Sequence, residues 1–297
     1  MKKLHALSLA AVLLLAPIAP VSDDLPLASV VHAAAQQDTI KEYTRPAKTS
    51  TDNDEERSVK APVPWLLVED HRIEALNANG KCVTYTSHPV LHVKGEERET
   101  LSRALDAWNK HEAQAAKKGF DFAYECKNGD RQEGFLEDIA YFDYSVITKW
   151  GRVDEQMISF CSFGISYTGG VHPMHGEGGT TFDAKTGKEV PLAAIVTSRE
   201  ALLRALANAF RTQYPGREKD LFAYDIEEQL KRFHRPEKGF DTFSWYMGTH
   251  GELVFLYPPY ALGPYSSGDF TLTIERADAP ELFTETYPLN QPLHEAI

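Results

Sequence analysis

Three imidazole- or carboxylate-bearing side chains crowd one glycine-rich stretch. His172, Pro173, Met174 and His175 put two imidazoles close together, and Glu177 follows two residues later. Zinc catalysis would need three protein ligands and an open water position, so His172 and His175, with Glu177 or Asp183 adding oxygen, define an alternative reading, a metal-dependent enzyme acting on peptidoglycan. Against it, an H-x-x-H pair in a loop lacks the helix that fixes H-E-x-x-H geometry, and no general base is marked. No metal and no cofactor are expected. Nucleophilic catalysis has less support. No G-x-S-x-G occurs, Ser166 lies within a strand pattern, and Cys161 sits between Phe160 and Phe163 like a core residue. The expectation is a protein that is not an enzyme.

The second group of chemistry-bearing residues suits contact, not catalysis. Pro258, Pro259, Tyr260, Pro264 and Tyr265 fall within one loop, Tyr257 to Tyr265. Proline stiffens a loop before binding, and tyrosine offers a large face with a polar tip at low entropic cost. The loop is a candidate partner-binding surface; the competing reading folds these rings inward to cap the core. The segment Tyr167, Thr168, Gly169, Gly170, Val171, His172 reads first as a turn. Its glycine pair opens backbone angles closed to other residues. Asp183 and Gly187 belong to a second turn, Ala184-Lys185-Thr186-Gly187, with glycine where a positive φ is wanted.

Several elements must position these groups. Lys81 to Val93 alternates as one or two strands. Glu96 to Lys118 carries Leu101, Leu105, Trp108 and Ala115 at helical spacing, with Gly119 as a stop and Phe120 to Tyr124 as a short strand. Phe135 to Trp150 and Gln156 to Tyr167 read as a strand pair joined across Gly151 to Glu155, with a bulge near Asp143. Strands Gly179 to Asp183 and Glu189 to Leu192 flank the second turn. A helix from Ser198, its cap, to Tyr214 buries Leu202, Leu203, Leu206 and Phe210 and ends at Pro215-Gly216; another helix covers Asp220 to Phe233. Strands Thr242 to Met247, Leu253 to Tyr257 and Asp269 to Glu275 close the chain. The fold class is α+β, with helices packed on one side of antiparallel sheets.

The amino terminus reads as an export signal. Lys2 and Lys3 precede an apolar run from Leu4 to Ala19, and Ala33, Ala34 and Ala35 give the A-x-A spacing of a cleavage site. Cleavage after Ala35 leaves Gln36 first; cleavage after Ala33 and retention as an uncleaved anchor are the alternatives. The run falls short of the roughly 20 residues that span a bilayer, and no later segment is apolar enough. The mature chain is therefore expected in the periplasm, cell envelope or medium, without a transmembrane segment. The organisation expected is 1–35 signal, 36–62 disordered linker, 63–170 and 171–297 as two α+β subdomains or one combined module. The linker rests on the polar run Thr49 to Arg57. Of three cysteines, Cys82 and Cys126 are the expected disulfide and Cys161 the buried thiol. A formal net charge of −12 argues against nucleic acid and permits attraction to a cationic protein.

Two blocks give the chain a family likeness. Ser166-Tyr167-Thr168-Gly169-Gly170-Val171-His172 is followed by Thr181-Phe182-Asp183-Ala184-Lys185-Thr186-Gly187-Lys188-Glu189. Gly251 to Tyr265 then supplies a strand and a Pro-Tyr-rich loop. In this order the blocks resemble the extracytoplasmic domain of RsiV-type anti-sigma factors, also found ahead of the catalytic domain in PdaC-type peptidoglycan deacetylases. The likeness covers roughly residues 80 to 276. It implies a non-catalytic binding module that captures a protein partner, a lysozyme or other cell-wall-acting protein. No sigma-binding segment precedes the apolar run and no deacetylase domain follows, so neither of those roles is expected to carry over.

Overall fold

Helix α1 does not stop at Gly119. In the computed structural model of the chain, which describes residues 38–49, 52–132 and 138–288, it runs from Glu99 to Gln132. Its buried face continues from Leu101 and Leu105 through Phe120 and Ala123 to Lys127, whose ammonium donates to the Ile139 carbonyl at 2.6 Å. The strand expected at Phe120 to Tyr124 is thus helix. Gly119 serves close packing instead of termination: a Cβ there would lie 1.9 Å from Asp143 Oδ2 on the neighbouring strand.

Among the described residues, six strands form one sheet in chain order: β1 (Thr39–Pro46), β2 (Leu66–Leu76), β3 (Cys82–Val93), β4 (Tyr141–Val153), β5 (Met157–Tyr167) and β6 (Met174–Asp183). Every neighbouring pair is antiparallel except β3 and β4, which run parallel because α1 is the crossover between them. The bulge expected near Asp143 occurs further along β4, where the register with β5 shifts between Ile147 and Lys149 and again between Trp150 and Val153. There the Ile147 backbone turns to Ser58 and Val59, taking bonds of 2.9 and 2.8 Å.

The linker expected over 36–62 is corrected where it is described. Residues 39–46 are β1, paired along its length with β2, and Lys48 and Val59 form a further bridge. Ser58 is fully buried and donates from its amide and hydroxyl to buried Asp70 at 2.8 and 2.5 Å. Arg57 binds the Pro46 carbonyl at 2.6 Å. Ladder bonds along β1 and the buried Asp70 hold these described residues in place. The signal segment and its cleavage sites lie outside the described residues.

A second sheet, β7 (Trp245–Met247), β8 (Leu253–Tyr257) and β9 (Phe270–Ile274), carries α2 (Arg199–Gln213) and α3 (Ile226–Phe233). Ser198 caps α2, accepting from the Ala201 amide at 3.0 Å, and Leu202, Leu206 and Phe210 enter a core shared with Phe270 and Leu272. The helix expected from Asp220 begins only at Ile226, because Asp225 takes the cap position and accepts from the Glu228 amide at 2.8 Å. Strand β7 rests directly on the larger sheet: Cβ atoms at Gly151 and Gly179 would meet the Met247 and Trp245 carbonyls at 1.9 and 2.0 Å. Met247 also donates its amide to Ser159 Oγ at 2.8 Å. Since β6 belongs to the first sheet, the break expected between 170 and 171 falls inside that sheet. The fold is α+β with antiparallel-rich sheets.

The expected disulfide is also corrected. Cys82, Cys126 and Cys161 are all free thiols. Cys126 lies within α1, not beyond a strand, and Cys82 points to the Thr84 carbonyl of its own strand at 3.5 Å. Cys161 is buried, and burial together with nearby Glu177 pushes its thiol up to about 12. No helix among the described residues is long and apolar enough to cross a membrane.

Candidate functional site

The Pro-Tyr loop leaves β8 at Tyr257, whose hydroxyl lies 2.9 Å from Nε2 of buried His234. His234 Nδ1 is 2.8 Å from Thr242 Oγ1, and its ring stacks on Phe243 at 3.6 Å. Burial, reinforced by Arg199, lowers the imidazole to about 3, and burial raises the Tyr257 phenol, so a neutral pair anchors the loop. Beyond this anchor the loop divides. Pro259, Ala261 and Leu262 are buried, whereas Tyr260 is 51% exposed and Pro264 is exposed; Pro258 and Tyr265 are half-buried. Tyr260 holds φ +69°, a left-handed conformation that bulky residues rarely adopt. The Ala261 amide bonds back to the Pro258 carbonyl at 3.0 Å, which fixes Tyr260 between them.

The glycine turn after β5 meets this loop. Tyr167 donates its hydroxyl to the Gly170 carbonyl at 3.0 Å, and Gly169 and Gly170 take φ near +98° and +100°. A Cβ at Gly169 would lie 2.9 Å from Tyr141 Oη, so glycine is needed for space as well as for φ. Thr168 is half-buried in the turn. Val171, at the apex, is 97% exposed, and Met174 is exposed beside it. His172 then stacks on Tyr265 with ring centres 4.2 Å apart, and Tyr265 donates to the Pro173 carbonyl at 3.4 Å. His175 meets the edge of the same tyrosine, and Tyr260 lies 5.7 Å from it. Two segments far apart in sequence therefore make one surface, centred on Tyr265.

Asp183 and Gly187 are elsewhere. Asp183 accepts from the Lys185 and Thr186 amides and from the Tyr287 hydroxyl at 2.9 Å. Burial opposes its charge, yet these bonds hold its carboxyl below the usual range. A Cβ at Gly187 would lie 2.4 Å from that of Ala104, so this turn fastens β6 to α1.

The alternative metal set does not assemble. His172 places Nδ1 2.9 Å from the Pro173 carbonyl, His175 pairs with Asp269 at 3.4 Å, and Glu177 lies by Cys161 and Tyr246. Among the described residues, no group of three or more His, Cys, Asp or Glu side chains is disposed to hold a metal ion. The two imidazoles share Tyr265 through their rings while their nitrogens face different partners, the Pro173 carbonyl and Asp269.

Sequence reasoning missed Phe222 and Tyr224, 50% and 75% exposed, which flank the same loop through the Phe222 amide bond to the Leu262 carbonyl at 3.0 Å. Tyr224 has φ +55°; among the described residues it and Tyr260 are the non-glycine residues with positive φ. The signal for them was Asp225, whose capping role ends the helix short of both rings.

Comparison with known proteins places part of this structure. Residues 194–277 match the family model described as a protein of unknown function, DUF3298. No curated protein matches the chain significantly. A DUF3298 family protein from Pseudomonas aeruginosa is 13% identical, over 84% of this chain and 94% of its own, with a TM-score of 0.43. One from Bacteroides fragilis is 14% identical, over 74% of this chain and 94% of its own, with a TM-score of 0.50. The matched residues carry α2, α3, the small sheet and the Pro-Tyr loop, on an α+β fold similar to that of the Bacteroides fragilis protein.

Proposed function

We propose that the chain is an exported, non-catalytic binding module that captures a protein partner on the surface around Tyr265. The carrying observation is the convergence of the His172 turn and the Pro-Tyr loop, which leaves Val171, Met174 and Tyr260 exposed on a pre-ordered support. Exposed apolar and aromatic groups on fixed backbone are the usual anchors of a protein interface. The partner is a lysozyme or another cationic cell-wall-acting protein. The likeness of both blocks to RsiV-type and PdaC-type extracytoplasmic domains supports this choice. The net charge of −12 suits a basic partner by speeding encounter. Export follows from the signal-like amino terminus.

The test is calorimetric or surface binding of several lysozymes to the exported protein, with Tyr260→Ala beside the parent chain. Saturable binding that weakens in the variant supports the reading. Absence of binding at roughly tens of micromolar, with folded protein, removes it.

A further inference from the structure

A cleft of about 360 Å³ opens beside the Pro-Tyr loop, within the size range of small-ligand sites. Its walls are the turn after α2, with Lys219, Asp220, Phe222 and Tyr224, and the returning loop, with Pro264 and Ser266. The walls are tied together. Ser267 Oγ donates to the Asp220 carbonyl at 2.8 Å, Arg217 donates to the Ser267 carbonyl at 2.8 Å, and Phe222 bonds Leu262. Gly263 passes so close to the Asp220 carbonyl that a Cβ would stand 2.3 Å from it. The cleft is therefore preformed.

Its chemistry is mixed in a specific way. Phe222 and Tyr224 present exposed rings, and the Tyr224 ring is held out by a strained backbone. Strain of this kind persists where the surrounding structure over-determines it, as at ligand clamps. Lys219, Ser266 and Asp220, bearers of an ammonium, a hydroxyl and a carboxylate, line the same cleft. Among the described residues neither Lys219 nor Ser266 has a side-chain bond. Asp220 has Oδ2 held by Arg217 Nε at 2.7 Å, which orients the group and leaves Oδ1 without a partner. A phosphate ligand would be repelled by Asp220, and a lipid tail would strand these polar groups. A saccharide satisfies all of them: its C–H faces lie on aromatic rings, and its hydroxyls both donate to carboxylate and accept from ammonium.

We infer that this cleft is an oligosaccharide-binding site. It goes beyond the protein-capture reading and does not depend on it, since it shares only Pro264 with the proposed partner loop. The experiment titrates the full chain with soluble β-1,4-linked N-acetylglucosamine oligomers and, separately, soluble β-1,4-linked glucose oligomers, read by ligand-observed NMR and calorimetry. At least one series should bind with Kd at or below about 1 mM. Tyr224→Ala and Phe222→Ala should each weaken binding about ten-fold or more, while Tyr224→Phe stays within about three-fold. Both rings are exposed, so thermal unfolding should show the variants folded. Failure of both series at about 5 mM overturns the inference, as does binding that survives both alanine variants. Sugar binding by a chain that binds no lysozyme would sustain this site and remove the protein-capture reading.

Discussion

Tyr260 carries the most testable residue-scale expectation. Its ring is exposed, its backbone is held by the Pro258–Ala261 bond, and it adds no contact to the core. Tyr260→Ala should therefore leave thermal stability nearly unchanged and weaken lysozyme binding by about 2 kcal/mol, roughly thirty-fold. Added salt should slow association more than it speeds dissociation. His234 behaves oppositely, because it is buried and neutral. Its imidazole is lowered from 6.5 to about 3 by burial and then by Arg199. As pH falls, the unfolded chain takes up that proton first. The stability contributed is complete above about pH 6.5 and drains as pH falls toward about 3, at about 1.4 kcal/mol per unit. His234→Asn should be less stable at neutral pH and lose less on acidification. Denaturant unfolding from about pH 7 to pH 4 checks this, and parallel profiles for the two proteins would contradict it.

At the scale of elements, glycine does the joining. Gly179 lets β6 pass under the Trp245 carbonyl, whereas a Cβ at neighbouring Gly178 would meet nothing within 4 Å. Gly179→Ala should cost about 2 kcal/mol or more by forcing the two sheets apart, while Gly178→Ala should stay within about 0.5 kcal/mol. Equal effects in thermal or denaturant unfolding would deny that β7 is seated on that glycine. The same logic explains α1. A glycine usually ends a helix, but Gly119 is where the helix touches Asp143, so the long crossover continues to Gln132.

At the scale of the molecule, residues 38–49 and 52–62 belong to the folded body. β1 extends the large sheet, and Ser58 satisfies a buried carboxylate that burial pushes upward in pKa. Ser58→Ala should destabilise the protein by about 1–3 kcal/mol, because Asp70 would lose its hydroxyl donor inside the fold. Limited proteolysis of the native protein should leave residues 39–46 attached to the core. Early cleavage throughout 39–62, with the remainder unchanged in stability, would return that segment to the status of a linker.

Periodicity was legible wherever one residue's burial repeats with its neighbours. The strand at Cys82–Val93, the capped helix at Arg199–Gln213 and the three closing strands all lie where alternation or helical spacing puts them. The loop after Tyr257 was legible too, since Pro258 and Pro259 cannot continue the β8 ladder. What only the tertiary structure decided was adjacency. Nothing in the spacing of His172 and Tyr265 brings them together; the pairing of β5 with β6 and the seating of the small sheet do so. Adjacency also reassigned residues whose local meaning was ambiguous: Gly119 became a packing contact, Cys126 a helical thiol, His172 a stacking partner and Ser58 a buried donor to Asp70. Local sequence sets which backbone shapes are cheap, but which neighbours a residue meets depends on long-range register, where ladder bonds and close glycine contacts outweigh local preference.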